Sequence, residues 1–371
     1  MITSRKRRSN FSLTNQIDRV GKKGKSRFGI DTFILGPAGA LIAGAKLSEC
    51  ISPEIFPFLA FCGLVFPAAL LMFALGVVLR LFRRDWKGMI WPVLFMFWIQ
   101  NSVILTIGGW GTYSEVSADS NQISIGTYNV RRMDEYKWLE GDKTRDEIVS
   151  WLSENKFDVM CFQELPSSMR RKVSNALGTK EIVINKRGSG PAIATSLQIA
   201  KYGPWFAPGE DVPRGIFADL IQNGDTVRIF NVHLQSVGLK GGDYEAVREG
   251  PDAEQRKRLF SRLSSAYVAR ATQARALREE LDASPHPVIL LGDFNDTPVS
   301  FALSTLKESD SWPLFDAFSK GGEGLGSTYV GDVSGLRIDY ILYSERFELH
   351  EFQTYPVELS DHRPVSAVFS Y

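Results

Sequence analysis

Five short patches in the C-terminal two-thirds of the chain set polar residues directly after apolar runs: Asn129, Glu164, His233, Asp293 with Asn295, and Asp361 with His362. Carboxylates, amides and imidazoles brought to one edge of a sheet are the equipment of a metal-assisted hydrolase, because buried carboxylates are costly unless paired or bound to a cation. Each residue alone has a plainer reading. Asp or Asn after a strand is an ordinary turn former, and Glu164, close to Pro166, could be a loop residue. All the patches together, in order, favour a metal site over a series of unrelated turns.

The elements that must position them follow one grammar. ISIGTYN leads to Asn129, DVMCFQE to Glu164, TVRIFNVH to His233 and PVILLGDFN to Asn295. Val, Ile, Phe and Tyr favour a pleated, half-buried backbone, so each run predicts a core strand of about five to eight residues. Helices are expected over 142–155, with Ile148, Val149 and Leu152 on one side, and over 253–282, where Leu259, Leu263, Tyr267, Ala271, Ala274, Leu277 and Leu281 recur at helical spacing.

Asn129 in TYNVR, Glu164 in CFQEL, Asn231 and His233 in NVHLQS, Asp293 and Asn295 in GDFNDTP, Asp339 in RIDYIL, and Asp361 and His362 in SDHRPV complete the pattern. The series resembles the endonuclease/exonuclease/phosphatase superfamily, which includes pancreatic-type deoxyribonucleases, apurinic endonucleases, neutral sphingomyelinases and inositol polyphosphate phosphatases. The resemblance spans residues 123–371 and implies a deoxyribonuclease I-like, two-sheet α/β sandwich with the active site at one end of the packed sheets.

It also implies roles. Glu164 is the main metal ligand, an oxygen donor suited to Mg²⁺, with Mn²⁺ as the alternative, and Asn129 and Asp361 complete or support that site. Asp293 orients or deprotonates the attacking water, and Asn295 hydrogen-bonds the phosphoryl oxygen. His362 contacts the scissile phosphate and Asp339 orients it; a carboxylate partner favours the cationic imidazole. His233 assists the leaving group or phosphate, and argues against the apurinic branch, which carries tyrosine there. GDFNDTP departs from the GD-x-NYR of the inositol phosphatases, which weakens that substrate class.

Other polar residues read more plainly. His286 and His350 are expected at the surface, and Arg131 and Arg132 face phosphate or solvent. Asp296 is expected to cap the helix that follows. Tyr329 and Arg337 are weaker candidates for the pocket, and Cys161, in an apolar strand, reads as a small buried hydrophobe.

The first third is of another kind. Ile55–Leu79 and Met89–Gly109 are 25 and 21 residues without a formal charge, enough at about 1.5 Å per residue to span a hydrocarbon core of about 30 Å. Trp86, Trp91 and Trp110 flank them as interfacial aromatics do. A weaker segment, 32–49, spans, lies on the surface, or is signal-like. Nine Lys or Arg precede Gly29 against one Asp, and Arg80–Lys87 carries four basic residues against Asp85. If both are cytoplasmic, two crossings separate them and a third follows. The organisation expected is a basic segment over 1–28, a membrane region over 29–110 with helices near 32–49, 55–79 and 89–109, a linker over 111–122, and the catalytic domain over 123–371. That domain then lies outside the cytoplasm, on a bacterial inner or plasma membrane.

A net charge of +1 over 371 residues gives no global reason to expect nucleic acid. The basic excess sits beside the membrane segments, where anionic headgroups are the commoner partner. Three cysteines, one of them in the catalytic domain, exclude a disulfide within it. The expected function is a nuclease-like, membrane-anchored phosphodiesterase acting on nucleic acid or a phospholipid headgroup. Its alternatives are a lipid or small-molecule phosphoesterase of the sphingomyelinase kind and a non-catalytic tethered binding domain. No protein partner is inferable.

Overall fold

Pro67 and Gly63 shape the apolar N-terminal region. In the computed structural model it forms α1 (Ile30–Ser48), α2 (Phe58–Leu64), α3 (Phe66–Phe82) and α4 (Ile90–Ile107). The continuous helix expected over 55–79 is therefore corrected to two. Pro67 has no amide hydrogen to give to the preceding turn, Val65 leaves helical geometry, and α2 meets α3 at 69°. Gly63 lies so close to the rest of the chain that a Cβ would stand 2.3 Å from the Val299 carbonyl oxygen. α1 and α4 are long and apolar enough to cross a membrane, as is the bent pair if taken as one span.

The two ends of this helical region differ. At one end Asp31, opening α1, pairs with Arg80 at 2.7 Å and with Arg83, both at the end of α3. The other end is seated on the remainder of the protein. There Glu54 pairs with Arg275 at 2.9 Å, Arg337 donates to the Leu105 carbonyl at 2.6 Å, and the Gly111 amide donates to Lys320 O at 3.1 Å.

The structure describes residues 29–109, 111, 122–135, 137, 139, 141, 143–179, 181–184, 188–238, 243, 250–331 and 334–371. The basic segment 1–28, Trp110, nearly all of the linker, and most of the segment between Gly238 and Gly250 lie outside the described residues.

Beyond the linker the elements are β1 (Gln122–Asn129), α5 (Thr144–Glu154), β2 (Val159–Pro166), α6 (Arg170–Leu177), β3 (Glu181–Ile184), β4 (Ser189–Thr195), β5 (Gln198–Phe206), β6 (Pro213–Gln222) and β7 (Asp225–His233). α7 (Ala253–Asp282), β8 (Val288–Asp293), α8 (Phe301–Lys307), β9 (Leu314–Asp316), α9 (Ala317–Gly321), β10 (Asp339–Ser344), β11 (Glu348–Thr354) and β12 (Val365–Ser370) follow. They build two six-stranded sheets, ordered β11-β12-β1-β2-β4-β3 and β5-β6-β7-β8-β10-β9. Ile125, Cys161 and Ile193 of the first sheet meet Ile229, Leu291 and Ile341 of the second in the central core. α5 and α6 cover the outer face of the first sheet, α7 and α8 that of the second. This is the expected two-sheet α/β sandwich.

Candidate active site

Sheet direction gathers the polar patches. β1 and β2 are parallel, as are β7 and β8, so Asn129, Glu164, His233 and Asp293 all come to the same edge. β10 runs antiparallel to β8 with Asp339 opposite Asp293, and β12 runs antiparallel to β1, which brings the residues just before it beside Asn129. Asp339 opens β10. One expectation changes in detail: Glu164 lies inside β2, at a register shift between Phe162 and Leu165 where its φ is +55°. A residue held in left-handed backbone away from glycine is strained, which is common at functional sites.

Seven of the expected residues, Asn129, Glu164, His233, Asp293, Asn295, Asp361 and His362, line one cavity of about 420 Å³. Asp339 is not in its wall. Asp293, fully buried, is the hub: its Oδ2 accepts from Asn129 Nδ2 at 3.0 Å and lies 3.5 Å from His233 Nε2 and 3.7 Å from His362 Nε2, while its Oδ1 accepts from the Asn295 amide at 2.8 Å. Gly292 makes this approach possible. Its φ is +132°, and a Cβ there would stand 2.1 Å from the Val232 carbonyl oxygen.

His362 Nδ1 meets Asp339 Oδ2 at 2.8 Å. Burial alone would lower the pKa of His362, but the Asp339 and Asp293 carboxylates outweigh it and push it up to about 10, leaving a buried imidazolium at neutral pH. Burial raises the pKa of Asp293, an effect opposed by the positive charge of His362. A buried carboxylate shifted upward is a better proton acceptor than an ordinary one.

Asp293, Asp339 and His362 could bring one donor atom each within 4.8 Å of one another. The direct Asp339–His362 contact and the raised His362 pKa make this trio a proton-bearing network. Glu164, Asn129 and Asp361 suit a cation better. All are oxygen donors facing the cavity, as a hard divalent cation requires, and the nearest ionic partner of Glu164 among the described residues is His233, at 4.0 Å. Asp361 is paired with Arg131 at 3.1 Å, and Asn129 Oδ1 accepts from the Arg131 amide at 3.0 Å.

A model of the Endonuclease/Exonuclease/phosphatase family matches residues 126–362. The chain belongs to this family. Solved structures with the same fold include an endonuclease/exonuclease/phosphatase protein from Bacteroides vulgatus, 17% identical, with a TM-score of 0.52 over 67% of this chain and 99% of that one. A second, from Bacteroides thetaiotaomicron, is 19% identical, with a TM-score of 0.51 over 68% of this chain and 99% of the other. A mannosyl-6-phosphatase of the same organism is 20% identical, with a TM-score of 0.50 over 67% and 100%. No curated protein sequence matches the chain.

Several side chains fall elsewhere than expected. Asp296 caps no helix: it is buried against Arg270 of α7 at 3.0 Å, and Ser300 caps α8. His350, expected at the surface, is buried against Ser370. Tyr329 lines the cavity and packs edge-on against His362, whereas Arg337 lies outside it. Cys161 is buried, as its strand predicts. Asn231 bonds the carbonyls of Phe162 and Ala192 across the sheets and accepts from Gln163 at 2.6 Å. A polar residue at an inward position of a strand was the signal for it. Leu64, Leu259 and Leu263, which form an apolar wall of the cavity, carried no such signal.

Proposed function

We propose that the chain is a membrane-anchored, divalent-metal-dependent phosphoester hydrolase that cleaves phosphodiesters. The observation that carries this reading is the convergence of Asn129, His233, His362 and the Asn295 amide on the single buried carboxylate of Asp293, with Glu164 beside them. In the family's established chemistry members hydrolyse phosphoesters, and the donor set of Glu164, Asn129 and Asp361 fits Mg²⁺ or Mn²⁺. When bound, such a cation neutralises phosphate charge and polarises the P–O bond.

The chain's own groups supply the rest. Asp293, raised in pKa, accepts a proton from the attacking water. His362, cationic and braced by Asp339, faces the phosphate and offsets the charge that grows in the transition state. His233, partly exposed beside Asp293 and Glu164, is placed to donate a proton to the leaving oxygen. Asn295 is held by its amide to Asp293 and by its side chain to the Leu234 carbonyl at 3.1 Å, and its remaining polar edge serves the phosphoryl oxygen. The helical region anchors the domain at a bilayer, with the catalytic side outside the cytoplasm.

The test is hydrolysis of bis(p-nitrophenyl) phosphate by the full chain in detergent. Chelation with EDTA is expected to abolish the activity and Mg²⁺ or Mn²⁺ to restore it, with Glu164→Gln requiring at least about tenfold more metal. A wild-type rate in Asp293→Asn, with correct folding, would falsify the assignment.

A further inference from the structure

The cavity has two chemistries. Its floor is the polar cluster around Asp293, and one wall is Leu64, Leu259, Leu263 and Tyr267. Leu64 is the last residue of α2, so the helical region itself completes the site. Leu259, Leu263 and Tyr267 are spaced four residues apart on α7 and therefore share one face of that helix. α2 is held against this face by Phe61, which stacks on Phe260 with ring centroids 4.8 Å apart and meets Tyr267 edge-on at 5.6 Å.

Apolar surface continues outward from the wall. Phe260 remains 46% exposed, Phe58 at the start of α2 53%, and Phe56 just before it 50%. Cationic groups are by contrast already engaged. The arginines lining the cavity, Arg131 and Arg270, are paired with Asp361 and Asp296, so among the described residues the cavity offers no unbalanced basic track for a nucleic-acid backbone. α2 turns 69° away from α3. If α3 crosses a bilayer, α2 lies close to the membrane plane at the cavity mouth.

We infer that the substrate is an amphiphilic phosphodiester delivered from the bilayer, its phosphate on the polar floor and the first part of its apolar chain between α2 and α7. This rests on the hydrolase and anchoring reading above. Water adds to phosphorus, the P–O bond to the leaving alcohol breaks, and that oxygen takes up a proton, giving a phosphate monoester and an alcohol.

The test uses the full chain in lipid nanodiscs with two esters of one leaving group, ethyl and octyl p-nitrophenyl phosphate, below their micelle concentrations and with Mg²⁺. Burying a methylene is worth about fourfold in affinity, so the octyl ester is expected to show a kcat/KM at least about thirtyfold higher. Partition into the disc also favours the octyl ester, equally for every variant. Leu64→Gln and Leu263→Gln are therefore each compared with wild type by the octyl-to-ethyl ratio, which is read within one protein and expected to fall at least about fivefold. An octyl-to-ethyl ratio near one in wild type, or a ratio that both variants leave unchanged, overturns the inference while the hydrolase reading stands. Equal cleavage of both esters together with nicking of plasmid DNA would assign the site to nucleic acid. Failure to cleave either ester with Mg²⁺ or Mn²⁺ removes the hydrolase reading, and this inference with it.

Discussion

His362 presents one ring nitrogen to Asp339 and the other towards Asp293, and all three side chains are buried. Its folded pKa, about 10, lies above the ordinary value of 6.5. The stability it contributes is therefore complete below about pH 6.5 and is lost as pH rises through about 10. Asp339→Asn is expected to lower the imidazole pKa towards its ordinary value, read by NMR titration of EDTA-treated protein, and to lower kcat by about 100-fold or more. An imidazole that still titrates near 10 in the variant would place the holding charge on Asp293 and Asp361 instead. At this scale the sequence was informative wherever a polar residue interrupts an apolar run, as at Asn129, His233 and Asp293. It was silent where the partner is distant in the chain. Asp296 looks like a cap until Arg270, 26 residues earlier, is found against it, and His350 looks solvated until Ser370 folds over it.

Helix α7 shows which element boundaries are legible. Its start is written locally, Asp252 and Gln255 forming a reciprocal capping box, and its observed span of Ala253–Asp282 is the expected one. The break between α2 and α3 is not legible in the sequence, although Pro67 marks the place, because membrane helices tolerate proline and the seating of Gly63 on Val299 is a tertiary fact. At the far end of α7, Asp282 accepts from Ser309 Oγ at 2.6 Å and from the amides of Asp310 and Ser311 at 2.7 and 3.1 Å, tying α7 to the loop before β9. Burial alone would raise the pKa of this carboxyl, but the hydrogen bonds prevail and hold it below its ordinary 3.8. Its stabilisation is thus present above about pH 3.8 and is lost as pH falls through the lower, folded value. Asp282→Ala is expected to cost about 1–3 kcal/mol at neutral pH, with the difference from wild type narrowing below pH 4 in denaturant titrations. A difference constant down to pH 2.5 would mean that packing, not the charge, holds this corner.

Across the whole molecule the helical region is packed into the rest of the chain rather than standing apart from it. Arg337, two residues before Asp339, is buried between Asp316 at 2.8 Å and the carbonyl of Leu105 near the end of α4, Phe61 of α2 stacks on Phe260 of α7, and Leu64 closes one side of the cavity. Composition revealed the apolar stretches and their charge asymmetry; this docking, built from backbone carbonyls and ring stacking, leaves no pattern in a linear sequence. The docking also bears on orientation. The two-sheet domain sits at the Glu54 and Gly111 end of the helices, and Asp31, Arg80 and Arg83 pair at the other. If the basic Arg80–Lys87 loop lies on the cytoplasmic side and all three apolar segments cross, the domain is carried out. A Lys87→Cys variant lacking the native cysteines is then expected to react with a membrane-impermeant maleimide only after the cells are opened, while alkaline phosphatase fused after Tyr371 is active in intact bacteria. Labelling of Lys87→Cys in intact cells with an inactive fusion would invert the orientation. Labelling from outside with an active fusion would place the loop and the domain on one side, leaving α4 unable to cross and the bent pair as a re-entrant segment beneath the active site.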